Sequence, residues 1–270
     1  YTAYKDRKGN MWVGTFAGGV NLFNKDYNEF NHYKHTSSPN SLSQNNVLSI
    51  TEDRQKKIWI GTDGGGLDLF DPVTKNFTHF KHEEGNKKSI CGNYVLNVCA
   101  DSKGNLWIGT WGDGVTVYNP KKNSWKHFKN NPEDPFSLSS NNAWVIYEDQ
   151  EKKIWIGTHG GGLNLYNPGT DNFQHYDAGG NFPANSINNN TVRALVEDQA
   201  GNLWIGTDNG LNCFNKKTRT FIFYVHEDNK NSISNNSILS FYQDKKDNLW
   251  IGTMMGLNYF NTKTKQFIIY

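Results

Sequence analysis

A tryptophan motif recurs six times along the chain at nearly constant spacing. Each copy reads [MIL]-W-[IV]-G-T, and successive tryptophans are 47, 48, 48, 49 and 46 residues apart. The copies are centred on Trp12, Trp59, Trp107, Trp155, Trp204 and Trp250. A fixed period in this range indicates a repeat architecture, in which each unit needs its neighbours to bury its apolar face. One copy therefore predicts the structure of all six.

The second copy shows what one repeat contains. Short apolar runs bounded by turn residues predict four strands, a to d, at Val47 to Glu52, Ile58 to Thr62, Leu67 to Phe70 and Phe77 to Phe80. Four antiparallel strands at this period are typical of one propeller blade. We therefore predict an all-β protein, a β-propeller with six four-stranded antiparallel blades.

The predicted blades fill one domain, 1–270. Their approximate limits are 1–35, 40–83, 88–131, 136–178, 185–227 and 231–270. Two alternatives stay open: the six blades close a ring by themselves, or they are six of a seven-bladed ring or part of a longer array. The abrupt ends of the chain favour the larger assembly.

Composition favours strands and turns and excludes several classes of function. The 38 Asn and 26 Gly residues suit turns and disfavour helices. No run of 18 apolar residues is present, so no membrane span is predicted in this segment. A net charge of +2 argues against nucleic-acid binding. Cys91, Cys99 and Cys213 lack CxxC spacing, so neither a disulfide framework nor a zinc site is predicted.

Residues that recur in every copy are assigned to the blade itself. An aspartate six residues before each tryptophan predicts an Asx-type turn between strands a and b. A glycine that ends each b-to-c turn predicts a positive φ. The six tryptophans are predicted to pack between blades as structural residues. The aspartates are Asp6, Asp53, Asp101, Asp149, Asp198 and Asp244, and the glycines are Gly19, Gly66, Gly114, Gly162, Gly210 and Gly256.

Residues that differ at equivalent places are the candidates for ligand binding. The b-to-c and d-to-a connections of a propeller share the face that surrounds its channel, where aromatic rings and polar groups suit a sugar. The candidates at this predicted mouth are Asp63, Trp111, His159 and Asp208 in the b-to-c turns, Trp144 and Arg193 at the start of strand a, and Asn46 and Tyr94 after a repeated asparagine. The alternative is that exposed turn tips vary freely, and that Trp144 only packs.

Histidine recurs one residue before the last aromatic of strand d, at His32, His79, His127 and His175. These residues fall on separate blades, in the predicted outermost strand. A metal site needs ligands that converge, so no metal or other cofactor is predicted.

The string D-x-x-G-N-[LM]-W-[IV]-G-T, present as DRKGNMWVGT, DSKGNLWIGT and DQAGNLWIGT, resembles the two-component regulator propeller repeat. The resemblance implies the periplasmic sensor region of a hybrid two-component sensor histidine kinase of the Bacteroidetes type, an inner-membrane protein. Propellers of that family detect glycan fragments. The kinase, the membrane span and the output domain would then lie outside this sequence.

The expected function is that of a binding module without catalytic residues. We expect it to recognise an oligosaccharide or other small ligand and to relay the signal to a kinase elsewhere in the same protein. Its expected partners are that ligand, the remaining domains and, as an open alternative, a second copy; nucleic acid and membrane contact are not expected. The competing functions are a protein-interaction scaffold and, less favoured, a lyase or hydrolase that uses His159 with Asp63 or Asp208.

Overall fold

The computed structural model describes residues 2–179, 186–229 and 231–270. The predicted starts of the first and fifth blades, at residues 1 and 185, lie outside these ranges. Every regular element within them is a β-strand, and none of the described segments forms a helix long and apolar enough to cross a membrane. The chain divides into two compact units, Tyr1–Lys129 with Asn141–Ile146 and Asn130–Ser140 with Tyr147–Tyr270.

The first unit holds three complete four-stranded sheets. In each sheet the strands follow one another in chain order. They are β1 Thr2–Lys5, β2 Met11–Gly14, β3 Val20–Asn24 and β4 Glu29–Tyr33; β5 Val47–Glu52, β6 Ile58–Thr62, β7 Gly66–Phe70 and β8 Phe77–Phe80; β9 Val95–Ala100, β10 Leu106–Thr110, β11 Val115–Asn119 and β12 Ser124–Phe128.

Three further sheets complete the series, and β13 contains the boundary between the units. The strands are β13 Ala143–Glu148, β14 Ile154–Thr158, β15 Leu163–Asn167 and β16 Asn172–Tyr176; β17 Val192–Glu197, β18 Asn202–Thr207, β19 Gly210–Asn215 and β20 Thr220–Tyr224; β21 Ile238–Gln243, β22 Leu249–Thr253, β23 Gly256–Asn261 and β24 Gln266–Ile269. The prediction of six four-stranded antiparallel blades is confirmed. In the second blade only strand c differs, because β7 begins one residue earlier, at Gly66.

Strand b is the most buried strand of a blade. All five residues of β6, β10 and β14 are buried, which is unusual for an antiparallel strand and requires apolar cover on both faces. Neighbouring blades supply that cover. Trp12 packs edge-on against Phe70 of the following blade with ring centroids 5.8 Å apart, and Trp204 packs in the same way against Phe260 at 5.2 Å. The repeated tryptophan thus fills the space between consecutive blades of a unit.

The repeated aspartate has two functions in the a-to-b turn. In the second blade, Asp53 Oδ1 accepts hydrogen bonds from the amides of Gln55 and Lys57, which forms the Asx-type turn. Its Oδ2 accepts the indole N–H of Trp59 at 2.9 Å. The same indole bond, 2.9–3.0 Å long, is made by Trp12, Trp107, Trp155 and Trp204. The carboxylate therefore satisfies the buried indole and fixes the turn.

The glycine at the end of the b-to-c turn is required by a close approach of the backbone. Gly66 has a φ of 86°, and a Cβ at this position would lie 2.5 Å from the carbonyl oxygen of Phe80. No L-residue can occupy the site without displacing the end of strand d.

Three a-to-b turns carry a residue other than glycine, Lys56, Lys152 or Asp247, at a position of positive φ where the other three carry glycine. Gly201 has a φ of 83°, whereas Lys152 at the equivalent position of another a-to-b turn has a φ of 65°. A left-handed non-glycine residue costs about 1–2 kcal/mol, more than the entropy that glycine adds to the unfolded chain. We expect Lys152→Gly to raise the free energy of unfolding by about 0.5–1 kcal/mol in urea titrations. Lys121→Gly, an exposed turn lysine without positive φ, is the control and should give no gain.

Candidate functional site

The residue at the tip of each b-to-c turn lies beside the residue that follows the repeated asparagine. The amide of Asp63 donates to the carbonyl of Asn46 at 3.0 Å, and the amide of Trp111 donates to the carbonyl of Tyr94 at 3.0 Å. Asp208 contacts Thr191 in the same way at 3.3 Å. The two kinds of variable position therefore meet at one end of their blade.

Two exposed aromatic side chains, Tyr94 and Trp111, lie near the half-buried Trp144 in the first unit, and the three are here called the aromatic surface. Tyr94 is 53% exposed and Trp111 is 43% exposed. The rings of Trp111 and Trp144 meet edge-to-face with centroids 5.9 Å apart. Asp63 forms a β-bridge with Tyr94 and thereby places a carboxylate at the border of the surface. Large aromatic rings exposed together beside a carboxylate can stack on the apolar face of a sugar and bond its hydroxyls.

Asparagine side chains hold the turns that carry this surface. The side-chain oxygen of Asn142 accepts the amide of Gly112, next to Trp111, at 2.8 Å. Asn46 does the same for Ala17, whose φ is 59°, at 2.7 Å. The amide oxygen of Asn46 therefore holds the neighbouring turn, and its NH₂ group supplies two further donors.

Arg193 is bound to a carboxylate of its own blade. Its Nε and Nη2 contact the two oxygens of Asp208 at 2.5 and 3.1 Å, and Ser237 Oγ donates to the same carboxylate at 3.0 Å. Partial burial favours the neutral form of Asp208, but the hydrogen bonds and charge of Arg193 outweigh it and lower the pKa of this carboxyl. The charge at an otherwise apolar position is thus compensated within the protein.

His159 is half-buried in the second unit, and its backbone carbonyl accepts the hydroxyl of Ser140 at 3.0 Å. In its charged form, its ring adds to the lowering of the Asp208 pKa. The eight candidate residues therefore divide between the units: Asn46, Asp63, Tyr94, Trp111 and Trp144 lie in the first, and His159, Arg193 and Asp208 in the second.

Three of the four strand-d histidines anchor the preceding d-to-a connection, a role that the sequence did not indicate. His127 Nε2 donates to the carbonyl of Ser89 at 2.9 Å, and His175 Nε2 donates to that of Ser137 at 2.7 Å. His79 makes the equivalent bond to Pro39 at 3.0 Å. Within the described residues, no three His, Cys, Asp or Glu side chains are grouped as a metal site.

His79 is distinguished by a carboxylate partner. Its Nδ1 lies 2.6 Å from Asp68 Oδ1, and Asp68 is fully buried. Burial alone would lower the pKa of His79, but its hydrogen bonds to Asp68 and to the carbonyl of Pro39 outweigh burial and raise this pKa. Asn164 and Asn212 occupy the position of Asp68 in other blades. In the sequence, an aspartate at a position that carries asparagine in other blades is the feature that indicates this pair.

Among solved structures, the extracellular domain of a putative hybrid two component system from B. thetaiotaomicron is 27% identical with a TM-score of 0.79, over 95% of this chain and 32% of that one. PorZ, a surface component of the type-IX secretion system of Porphyromonas gingivalis, is 18% identical with a TM-score of 0.74, over 96% and 38%. Virginiamycin B lyase from Staphylococcus aureus is 9% identical with a TM-score of 0.71, over 99% and 82%. The last two show the fold alone.

The chain spans about a third of the length of the first of these structures. No protein with a curated description matches it. A family model described as two component regulator propeller matches five segments, 41–64, 89–112, 137–160, 186–209 and 232–255. Each segment runs from the connection before strand a to the b-to-c turn and contains the tryptophan motif. Five of the six repeats of this chain therefore match the two component regulator propeller family.

Proposed function

We propose that this chain is the extracytoplasmic ligand-sensing propeller of a two-component signal-transduction protein. It recognises an oligosaccharide and relays binding to a histidine kinase outside this segment. Two findings support the proposal: the repeats match the regulator propeller model, and the 27% identical structure is an extracellular domain of a putative hybrid two component system. We place the segment in the periplasm, as the sensor region of an inner-membrane protein.

The aromatic surface is the observation that carries the proposal of a sugar ligand. Equivalent turn tips in other blades carry no common residue type, so blade structure alone does not require Tyr94 and Trp111 there. Two exposed rings with an edge-to-face neighbour give a rigid platform whose conformational entropy is already low. Asp63 at its border supplies an acceptor for hydroxyl groups.

The properties of Asp208 favour binding of a ligand without chemical conversion. A general base at neutral pH needs a pKa raised toward 7, whereas the pKa of Asp208 is lowered and its oxygens are occupied by Arg193 and Ser237. We therefore assign His159 and Arg193 to hydrogen bonding with ligand hydroxyls in the second unit, with Asp208 orienting Arg193, and we assign no catalytic step to this segment.

The test begins with a thermal-shift screen of the chain against plant and host oligosaccharides, followed by calorimetry on the sugar that binds. Trp111→Ala removes a stacking ring from the aromatic surface. We expect a loss of affinity of about tenfold, the scale of one aromatic contact in a binding site. Tyr27→Ala is the matched control, because Tyr27 is 74% exposed in a c-to-d turn of the same unit and should bind unchanged.

Three results would count against the proposal. A dissociation constant unchanged in Trp111→Ala would remove the aromatic surface as the binding site. Failure of every sugar in the panel to shift the melting temperature would remove the carbohydrate ligand. Turnover of a bound sugar would replace the sensor with an enzyme.

A further inference from the structure

A cavity of about 280 Å³ opens between the first and second blades, at the end that carries the a-to-b and c-to-d turns. It lies in the first unit and is separate from the aromatic surface. Trp12, Tyr33 and Phe70 form its apolar wall, and the carboxylates of Asp6 and Glu52 line it as well. An enclosed space with aromatic walls and buried carboxylates has the chemistry of a site for an organic cation.

Glu52 provides the acceptor in this cavity. Its side chain is only 3% exposed. Oε2 accepts the backbone amide of Arg7 at 3.0 Å and lies 3.7 Å from Nε of the same residue, whose guanidinium side chain is 52% exposed. This ion pair is long and its guanidinium is half-exposed, so it compensates the buried carboxylate only weakly, and Oε1 has the capacity to accept a further donor from the cavity.

The same site recurs between the fourth and fifth blades, in the second unit, where a lysine ammonium is that further donor. Lys216 Nζ contacts Asp149 Oδ2 at 2.8 Å and Glu197 Oε1 at 2.5 Å. Glu197 Oε2 accepts the backbone amide of Gln150, as Glu52 accepts that of Arg7. The aromatic wall is repeated by Trp155, Tyr176 and Phe214.

The two sites differ at the residue that supplies the ammonium group. Lys216 stands six residues after Gly210, and Pro72 stands six residues after the equivalent Gly66. Proline cannot reach the carboxylates, so the space that the lysine side chain fills in one unit is open in the other.

We propose that the cavity between the first and second blades binds a primary ammonium group on a short carbon chain, held by Glu52 and Asp6 as Lys216 is held by Glu197 and Asp149. Asp6 Oδ2 already accepts the indole of Trp12 and the side-chain amide of Asn10, so Glu52 is the principal acceptor. The indole, phenol and phenyl rings of the wall cover the carbon chain and attract the cation.

Charges at the rim restrict the rest of the ligand. Lys8, Lys56 and Lys75 are exposed around the opening, and the ammonium of Lys57 is bonded to Asp71. A second positive charge on the ligand would meet these lysines, whereas a carboxylate would be attracted to them. The preferred ligand class is therefore an ω-amino acid rather than a diamine.

The experiment is a calorimetric titration of the chain with three compounds of similar length: 5-aminopentanoate, 1,5-diaminopentane and pentanoate. We expect 5-aminopentanoate to bind more tightly than the diamine and pentanoate not to bind. Glu52→Gln, which preserves the shape of the side chain, should lower the affinity for 5-aminopentanoate by at least about tenfold because a charge-assisted hydrogen bond is lost. Pro72→Lys should abolish binding and raise the melting temperature, since the new side chain occupies the site.

Lys216→Ala supplies a positive control, because n-butylamine should bind where the side chain was removed and raise the melting temperature of this variant. The proposal is overturned if pentanoate binds as well as 5-aminopentanoate, or if Glu52→Gln retains the wild-type affinity while its melting curve shows that it is folded. Trp111→Ala should keep full affinity for 5-aminopentanoate, so that loss of the sugar site and loss of this site are distinguishable.

Discussion

Trp204→Ala is expected to lower the free energy of unfolding by about 3–5 kcal/mol, the range for removing a large aromatic side chain from a core. Trp204 is 0% exposed and packs against Tyr224 and against Phe260 of the next blade. Its indole N–H bonds Asp198 at 2.9 Å, and the ammonium of Lys265 lies 5.0 Å from its ring. The substitution opens a cavity between two blades and removes a donor from a buried carboxylate. Urea titration followed by circular dichroism measures the change.

Trp250→Ala is the matched control, because Trp250 occupies the same position of the sixth blade and is only half-buried. It stacks on Tyr270 and meets Tyr259 edge-on, both in its own blade. We expect Trp250→Ala to lower the free energy of unfolding by less than half as much as Trp204→Ala, because the loss scales with the buried contacts that are removed. Equal losses for the two variants would show that packing between blades is not the source of the effect.

Lys216→Met is expected to destabilise the chain by about 3–5 kcal/mol at neutral pH, because two carboxylates remain buried without a counter-charge. The side chains of Asp149 and Glu197 are 0% and 1% exposed, and that of Lys216 is 9% exposed. Methionine preserves most of the apolar stem, so the loss reports the charge. The double variant Lys216→Met/Glu197→Gln should recover part of the stability, and an additive further loss would contradict the bridge.

The pH dependence of this loss follows from the pKa shifts in the bridge. Burial favours the neutral forms of both groups, but their mutual hydrogen bonds outweigh it, so the pKa of Asp149 is lowered and that of Lys216 is raised above 10.5. The contribution of Asp149 is present above its unfolded pKa and is lost as pH falls through the folded value; that of Lys216 is lost only as pH rises above 10.5. The deficit of Lys216→Met should therefore be constant from about pH 6 to 9 and shrink below about pH 4. A deficit independent of pH would point to packing instead.

The repeat of the tryptophan motif predicted the fold because each of its six copies encodes the same local interactions. Strand limits in the second blade agree with prediction to within one residue, since turn glycines and Asx-type aspartates mark the ends. The pairing of Asn46 with Asp63 and of Tyr94 with Trp111 follows from strand register, which alternation within one blade determines.

Contacts between side chains of different blades were not predictable in the same way. Sequence spacing does not give the distance between a c-to-d turn and the a-to-b turn of the preceding blade, so the bridge of Lys216 to Asp149 required the structure. The partner of Arg193 lies in the same blade but also required the structure, because a carboxylate, an anion or water would each satisfy that charge. In both cases the residue departs from the repeat. Residues that differ from the repeat therefore indicate specific interactions in strand interiors and c-to-d turns as well as at the turn tips.

In five blades the indole bonds the aspartate six residues before it, wholly inside the blade. Four of these indoles, Trp12, Trp59, Trp155 and Trp204, also pack against a phenylalanine or tyrosine of the next blade. Such a blade is consequently a module that contains its own indole–aspartate hydrogen bond and joins the next blade through a common type of aromatic contact. Duplication or loss of one period of DNA would add or remove a complete blade and leave the remaining junctions chemically unchanged. Chains built from this repeat can thus change length by whole blades during evolution. Sequence variation is tolerated at residues outside the indole–aspartate bond and the aromatic contact between blades.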